Sequence, residues 1–175
     1  KQSVSGLTKQ MLLDHMSTFY VPQNMVVSIA GQVDHDSLVL EVDSLTNRWG
    51  THEIPPTIPF AESQDEPQLC IEYRDTEQAH LGISLRGLSA TDPDRYALSL
   101  LSVILGEGMS SRLFVNVREE RGLAYDIHSG VGYFQDCGTL GIYAGVDPKN
   151  ARATVDTIMD ELALMRDGVT EEELQ

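Results

Sequence analysis

Long apolar runs are missing from this 175-residue sequence. None approaches the roughly 20 residues that cross a bilayer as a helix, and the polar stretch from Lys1 to Gln10 does not read as a signal peptide. No membrane span is expected. Basic residues are also scarce: 12 Lys and Arg stand against 27 Asp and Glu, a formal net charge of −15. Binding to a polyphosphate needs clustered cations, so no nucleic acid is expected as a partner; a soluble acidic protein remains, or one that attracts basic peptides. There are two cysteines, Cys70 and Cys137, and no CxxC pair. Cys70 lies in an alternating apolar segment and is expected to be a buried, reduced thiol; Cys137 sits in a turn and receives no role. An initial methionine is lacking too, and the sequence stops on TEEELQ, inside what reads as a new helix. The chain is therefore expected to be a fragment of a longer protein. Its compartment stays unknown: soluble, and cytoplasmic or periplasmic if bacterial.

What is present is globular in character. Hydrophobic residues make up 41% and charged residues 22%, ordinary values for a packed chain, and the length suits a single domain over residues 1–175. Thr8 can cap a helix carrying Leu12, Leu13, Met16, Phe19 and Tyr20, ended by Pro22. Met25 to Ala30 reads as a buried strand closed by Gly31. Asp34 caps a second amphipathic helix with Leu38, Val42, Leu45 and Trp49, stopped by Gly50. The proline-rich segment from Thr51 to Pro67 has no periodicity and reads as a surface connection between two halves of one sheet.

Two strands are expected next, Gln68 to Arg74 and Gln78 to Arg86, and then a helix opened by Asp92-Pro93. That helix is apolar nearly all round, the mark of a central core helix. The stretch Leu105 to Tyr125, LGEGMSSRLFVNVREERGLAY, follows: a glycine-rich entry, a helix from Ser110 or Ser111 with Leu113, Phe114 and Val117 inward, and a stop at Gly122. A glycine just past a helix end adopts positive φ without a Cβ penalty. Strands at Tyr125 to Phe134 and Thr139 to Val146 are joined as a hairpin through Gln135 to Gly138. Asp147-Pro148 opens the longest helix, with Ala151, Val155, Ile158, Leu162 and Met165 in one stripe. Gly168 ends it, and Thr170 to Glu173 is a capping-box start. The element order predicts an α+β fold, a two-layer α/β sandwich whose mostly antiparallel or mixed sheet carries its helices on one face.

Chemistry-bearing motifs are few. The five histidines, His15, His35, His52, His80 and His128, show no spacing of a zinc helix, and His52-Glu53 lies before Pro55-Pro56 in a loop. No metal or cofactor-binding set is expected from this chain. There is no GxSxG, and Gly106-Glu-Gly108 lacks the later glycine and preceding strand of a dinucleotide loop. Arg118, one turn before a helix end, and Tyr125, at the start of the returning strand, are seven residues apart across the Gly122 turn. A cation beside a phenol suits a peptide carbonyl oxygen that turns negative during attack. An Arg in a last turn also offsets the helix dipole, and a Tyr at a strand start is often core.

The run GEGMSSRLFVNVREERGLAY, with GYFQDCGTLGIYAGVDPKN, DGVTEEEL and the upstream LTKQMLLDHMSTFYVPQNMVVSIAGQVDHDSL, resembles the C-terminal subdomain of the insulinase-type zinc peptidases. Its branch is the one that holds the bacterial and mitochondrial processing peptidases. The resemblance spans nearly the whole chain. It implies a processing-peptidase-like metallohydrolase fold and a parent that is a zinc-dependent metalloendopeptidase acting on peptides or unfolded polypeptides. The family's zinc motif, H-x-x-E-H, is absent here, so the resemblance implies zinc in the parent or a partner subunit, none bound by this chain, and a fragment inactive alone. It further implies that Arg118 and Tyr125 serve as supporting catalytic residues in trans, toward a zinc-bearing subdomain or subunit, in a homo- or heterodimer. Arg121 fits the family spacing less well and is expected on the surface or in a salt bridge. The alternative it leaves is a non-catalytic partner or scaffold subunit of a heterodimeric peptidase or larger complex.

Overall fold

A computed structural model describes residues 2–51 and 53–174; His52 lies outside the described residues. The chain divides into two compact units, Lys1–Ile58 and Pro59–Gln175, and the division falls inside the proline-rich segment. The first unit contains α1 (Gln2–Ser5), α2 (Lys9–Phe19) and α3 (His35–Thr46). Both expected caps form: the Thr8 hydroxyl accepts the Met11 N–H at 3.2 Å, and the Asp34 carboxylate accepts the Ser37 N–H at 3.0 Å. α3 stops before Trp49, because a tighter turn takes over in which the Trp49 N–H donates to the Thr46 carbonyl at 2.9 Å. Met25 to Ala30, expected as a buried strand, forms none, and Val26 is 95% exposed. A strand needs a neighbour for its backbone donors and acceptors, and the described residues of this unit contain no other strand.

The second unit is the two-layer α+β structure expected. Its elements are β1 (Ala79–Gly87), α4 (Arg95–Gly106), a π-helix (Phe114–Glu120), β2 (Ala124–Tyr133), β3 (Gly138–Val146) and α5 (Ala151–Arg166). The sheet runs β1-β3-β2, antiparallel throughout, with β2 and β3 joined as the predicted hairpin. Period-two alternation sends Leu140, Ile142, Ala144 and Val146 of β3, with Ala124 and Ile127 of β2, to one face. Leu105, Leu113, Val117, Ile158 and Met165 cover that face from the helices. Full burial of such side chains stabilises by about 1.5–3 kcal/mol each.

Two expectations for this unit fail. Gln68 to Arg74 is not a strand: Leu69, Ile71 and Tyr73 are exposed, Arg74 pairs with its near neighbour Glu72, and Cys70 is exposed rather than buried. Alternation alone does not make a strand without a hydrogen-bonded edge to join. α4 is not a central core helix either. It buries Ser102, Leu105 and Gly106 while Tyr96 and Leu100 stay exposed, because it lies on β2 by one side only.

Where α4 meets β2 the backbones come close. A Cβ on Gly106 would lie 2.6 Å from the Ser129 nitrogen and 2.7 Å from its Oγ. Buried Ser129 donates to the Ser102 carbonyl at 2.8 Å, and Ser102 donates to Glu107. Small residues and a satisfied polar pair therefore fix the helix-to-sheet distance. Gly106→Ala is expected to lower stability by about 1–3 kcal/mol through overpacking, read as an earlier urea midpoint.

The chain's last described turn is held by charge. The Thr170 N–H donates to Glu173 Oε2 at 2.8 Å and the Glu173 N–H to Thr170 Oγ1 at 3.3 Å, the reciprocal box expected from the sequence. Arg112 reaches across to Glu173 and also donates to the Gly168 carbonyl at 3.1 Å. These bonds, Arg112 first and Thr170 second, pull the Glu173 carboxyl down from 4.5 to about 2. A depressed folded-state pKa contributes stability that is complete above the unfolded value and fades as pH falls through the folded one. The contribution should be full above about pH 4.5 and gone near pH 2. In pH-dependent denaturation, Glu173→Gln should flatten that part of the acid limb and converge with the unsubstituted protein at its foot.

Candidate functional site

The Leu105 to Tyr125 stretch is built around an irregular helix. It opens with α-type bonding, the Val115 N–H on the Ser111 carbonyl at 3.0 Å, and then widens into the π-helix at Phe114–Glu120. Each π turn bonds five residues back and so holds one residue more than an α turn. Leu113 and Val117 are buried, as expected, while Phe114 is half-buried. Gly122 ends the helix at φ +59°, in the left-handed region the sequence called for. The closing bond runs from the Leu123 N–H to the Val117 carbonyl, 2.9 Å and six positions back. A Schellman closure spans five, so the extra residue persists through the turn.

One side of this helix is tied to α5. Asn116 Nδ2 donates to the buried Glu161 carboxylate at 2.7 Å, and Arg121 Nη1 donates to the Thr157 hydroxyl at 3.2 Å. Arg121 is thus a surface residue engaged with α5. Arg118 lies on the other side, exposed, with its guanidinium carbon 4.7 Å from the Phe114 ring centroid. Among the described residues no carboxylate pairs with it.

Tyr125 is placed by a second irregularity. Ala124 of β2 pairs with Val146 of β3, and Asp126 pairs with Gly145, so Tyr125 is the extra residue of a β-bulge. Bulges re-aim side chains and are common beside active sites. Here Ala124 and Ile127 both stay buried, and Tyr125 and Asp126 are both exposed, Tyr125 at 58%. The hydrogen bond from Lys149 to Asp147, with which it pairs at 2.9 Å, holds that ammonium's pKa above its usual value, and Tyr125 contributes in the same direction. The structure does not join Arg118 to Tyr125 directly. The guanidinium rests on Phe114, and the Tyr125 ring is exposed.

Sequence reasoning overlooked a polar group on the uncovered face of the sheet. Tyr143 of β3 pairs in register with Gly82 of β1 and His128 of β2. His80 Nδ1 is 2.7 Å from Tyr143 Oη, the His128 ring lies 5.1 Å from the Tyr143 ring, and His128 Nδ1 is 3.5 Å from Asp126 Oδ2. Alternation along each strand was readable, but the strand order that brings these three strands side by side was not. Among the described residues no three His, Cys, Asp or Glu side chains are grouped to hold a metal ion.

Comparison with known proteins fits this architecture. The family model described as the peptidase M16 inactive domain matches residues 6–175. An uncharacterized zinc protease of Mycobacterium tuberculosis is 39% identical over 176 residues, covering 98% of this chain and 40% of that protein. One from Streptomyces coelicolor is 36% identical, covering 98% of this chain and 39% of its own length. The chain thus spans about two fifths of the curated relatives it matches. Among solved structures, a peptidase M16 inactive domain from Pseudomonas fluorescens is 26% identical with a TM-score of 0.82, over 99% of this chain and 42% of that one. A protease from Helicobacter pylori, 22% identical with a TM-score of 0.87 over 99% of this chain and 43% of that one, shares the fold. With its two-layer antiparallel unit and a family match over nearly its full length, the chain belongs to the M16 peptidase family, as the C-terminal inactive domain of a zinc protease-like protein.

Proposed function

We propose that this chain is the substrate-supporting subdomain of a metalloendopeptidase that cleaves peptides or unfolded polypeptides, with Arg118 and Tyr125 assisting a zinc site carried by another subdomain or subunit. The observation that carries this reading is the pair of one-residue irregularities. Arg118 is exposed on the π-helix while Asn116 and Arg121 bond to α5, and at the bulge Tyr125 is exposed while Ala124 and Ile127 hold the core.

The phenol O–H and the guanidinium can each donate to a peptide carbonyl oxygen. As that oxygen gains charge, both bonds strengthen. Zinc would supply activation of the attacking water from outside this chain. Arg118 needs only to exchange its contact with the Phe114 ring, worth about 0.5–1 kcal/mol at an exposed site, for the substrate.

In the full-length, zinc-loaded parent protein, Arg118→Ala and Tyr125→Phe are each expected to lower kcat by about 10²–10³-fold, the range for loss of one such donor. KM and zinc content should change little, since the donors act mainly in the transition state. Unchanged kinetics in both variants would overturn this reading and favour the silent partner or scaffold subunit.

A further inference from the structure

Asn116 and Arg121 are five residues apart in sequence, and both reach α5. Their partners, Glu161 and Thr157, are four apart on α5 and so share one face of that helix. In an α-helix each residue turns by about 100°, which leaves positions five apart separated by about 140°. Asn116 and Arg121 could not then face the same neighbour. A π turn bonds five residues back and brings such positions to one side. The irregular register of Phe114–Glu120 is therefore the one in which both bonds form together.

The sequence also opposes the regular alternative. In α geometry the residues sharing a face with Asn116 would be Glu119 and Glu120, and both are exposed here. Turned towards α5, they would bring a second carboxylate against Glu161, which is 6% exposed and accepts from Asn116 Nδ2 at 2.7 Å. A buried carboxylate is costly without a donor, and a like charge beside it raises that cost. Apolar residues at Thr157 and Glu161 would pack without any demand for hydrogen bonds, yet α5 buries these two polar side chains under the irregular helix. Fixing register is the best-attested use of such buried polar groups. Arg118 falls between the two bonds in sequence, and its guanidinium lies on the Phe114 ring, exposed.

We infer that the bonds Asn116–Glu161 and Arg121–Thr157 form a two-point clasp that selects the π register, which makes Asn116 and Glu161 positioning residues for Arg118. The bearing on catalysis rests on the proposed role of Arg118; the selection of register does not.

The test uses the full-length, zinc-loaded protein and two readouts: steady-state kinetics on a quenched-fluorescence peptide, and amide hydrogen exchange of the segment Phe114–Leu123. Asn116→Asp is isosteric and sets two carboxylates against each other. It is expected to lower kcat by about tenfold through misplacement of the guanidinium, to leave KM within about twofold, and to speed exchange of the segment by about fivefold. Adding Glu161→Gln moves the amide to α5 and the carboxylate to the irregular helix, so the hydrogen bond re-forms with its donor on the other side. This double variant should return both readouts to within about twofold of the unsubstituted protein. Thr157→Val removes the hydroxyl that Arg121 reaches; it should shift both readouts in the same direction by about threefold, and it tests the clasp even where Asn116→Asp does not fold. Gly106→Ala, which weakens the contact of α4 with β2, controls for general destabilisation and should leave kcat within about twofold. Unchanged exchange in folded Asn116→Asp and Thr157→Val overturns the inference, as does a double variant that recovers Tm without recovering exchange. If Arg118→Ala lowers kcat while folded Asn116→Asp does not, the inference fails and the catalytic reading stands. If Arg118→Ala leaves kcat unchanged, the catalytic reading fails and exchange alone decides on the clasp.

Discussion

Four buried side chains govern what the second unit can present. Leu113 and Val117 on the irregular helix, and Ala124 and Ile127 on β2, are all seated in one core with Leu105 and Val146. Between these anchors the chain carries one residue more per turn than an α-helix and one residue more than a regular strand needs. Close-packed interiors do not absorb such a mismatch by swelling, so the surplus is displaced outward. The exposed side chains at these two places are those of Arg118, Glu119 and Glu120 on the helix and of Tyr125 and Asp126 on β2. The loss of regular ladder bonds is offset by burial of the four anchors and by the bonds from Asn116 and Arg121 to α5.

The glycines of this unit fall into separate physical classes. Gly106 is required by the approach of α4 to Ser129, and Gly122 by its positive φ. Gly145 lies beneath the Tyr143 ring. Gly82, Gly130 and Gly141 meet no such demand, yet each weakens its strand by about 0.5–1 kcal/mol relative to alanine. One face of the sheet is thus packed against the helices, and the other carries glycine at Gly82, Gly130 and Gly141. A sheet whose only task was to pack would carry β-branched residues there.

How much of this was legible in the sequence follows from how local each signal is. Thr8, Asp34, Gly122 and the Thr170 to Glu173 box are read within four residues, and each forms as expected. The three strands of the sheet came out within a residue or two because both alternation and turn chemistry marked them. Met25 to Ala30 and Gln68 to Arg74 have the same local pattern, but pairing is a long-range property and neither gains a partner strand. The apolar circumference of α4 likewise promised burial that only a second covering layer would supply. At the site, the seven-residue spacing of Arg118 and Tyr125 was visible, and so was the two-residue gap between inward Ala124 and Ile127, which in hindsight signals the bulge. The His80, Tyr143 and His128 group depends on the order β1-β3-β2, which no local pattern encodes.

The structure also bears on the two plain explanations that the sequence left open for the Arg118 and Tyr125 pair. A cation near a helix C-terminus offsets the macrodipole, but Arg121 already stands at that end, anchored to Thr157. A tyrosine at a strand start can be core, yet Tyr125 is 58% exposed and the core position beside it is filled by Ala124. Acidic side chains abound in a chain of net charge −15, and Arg74, Arg86, Arg112 and Arg152 are all taken up by them. Arg118, with Glu119 and Glu120 adjacent in sequence, is instead held against a ring. An aromatic contact keeps the guanidinium ordered while leaving its N–H donors unspent, whereas a carboxylate would occupy them. That distinction favours a donor kept ready for an incoming carbonyl over one spent on stability.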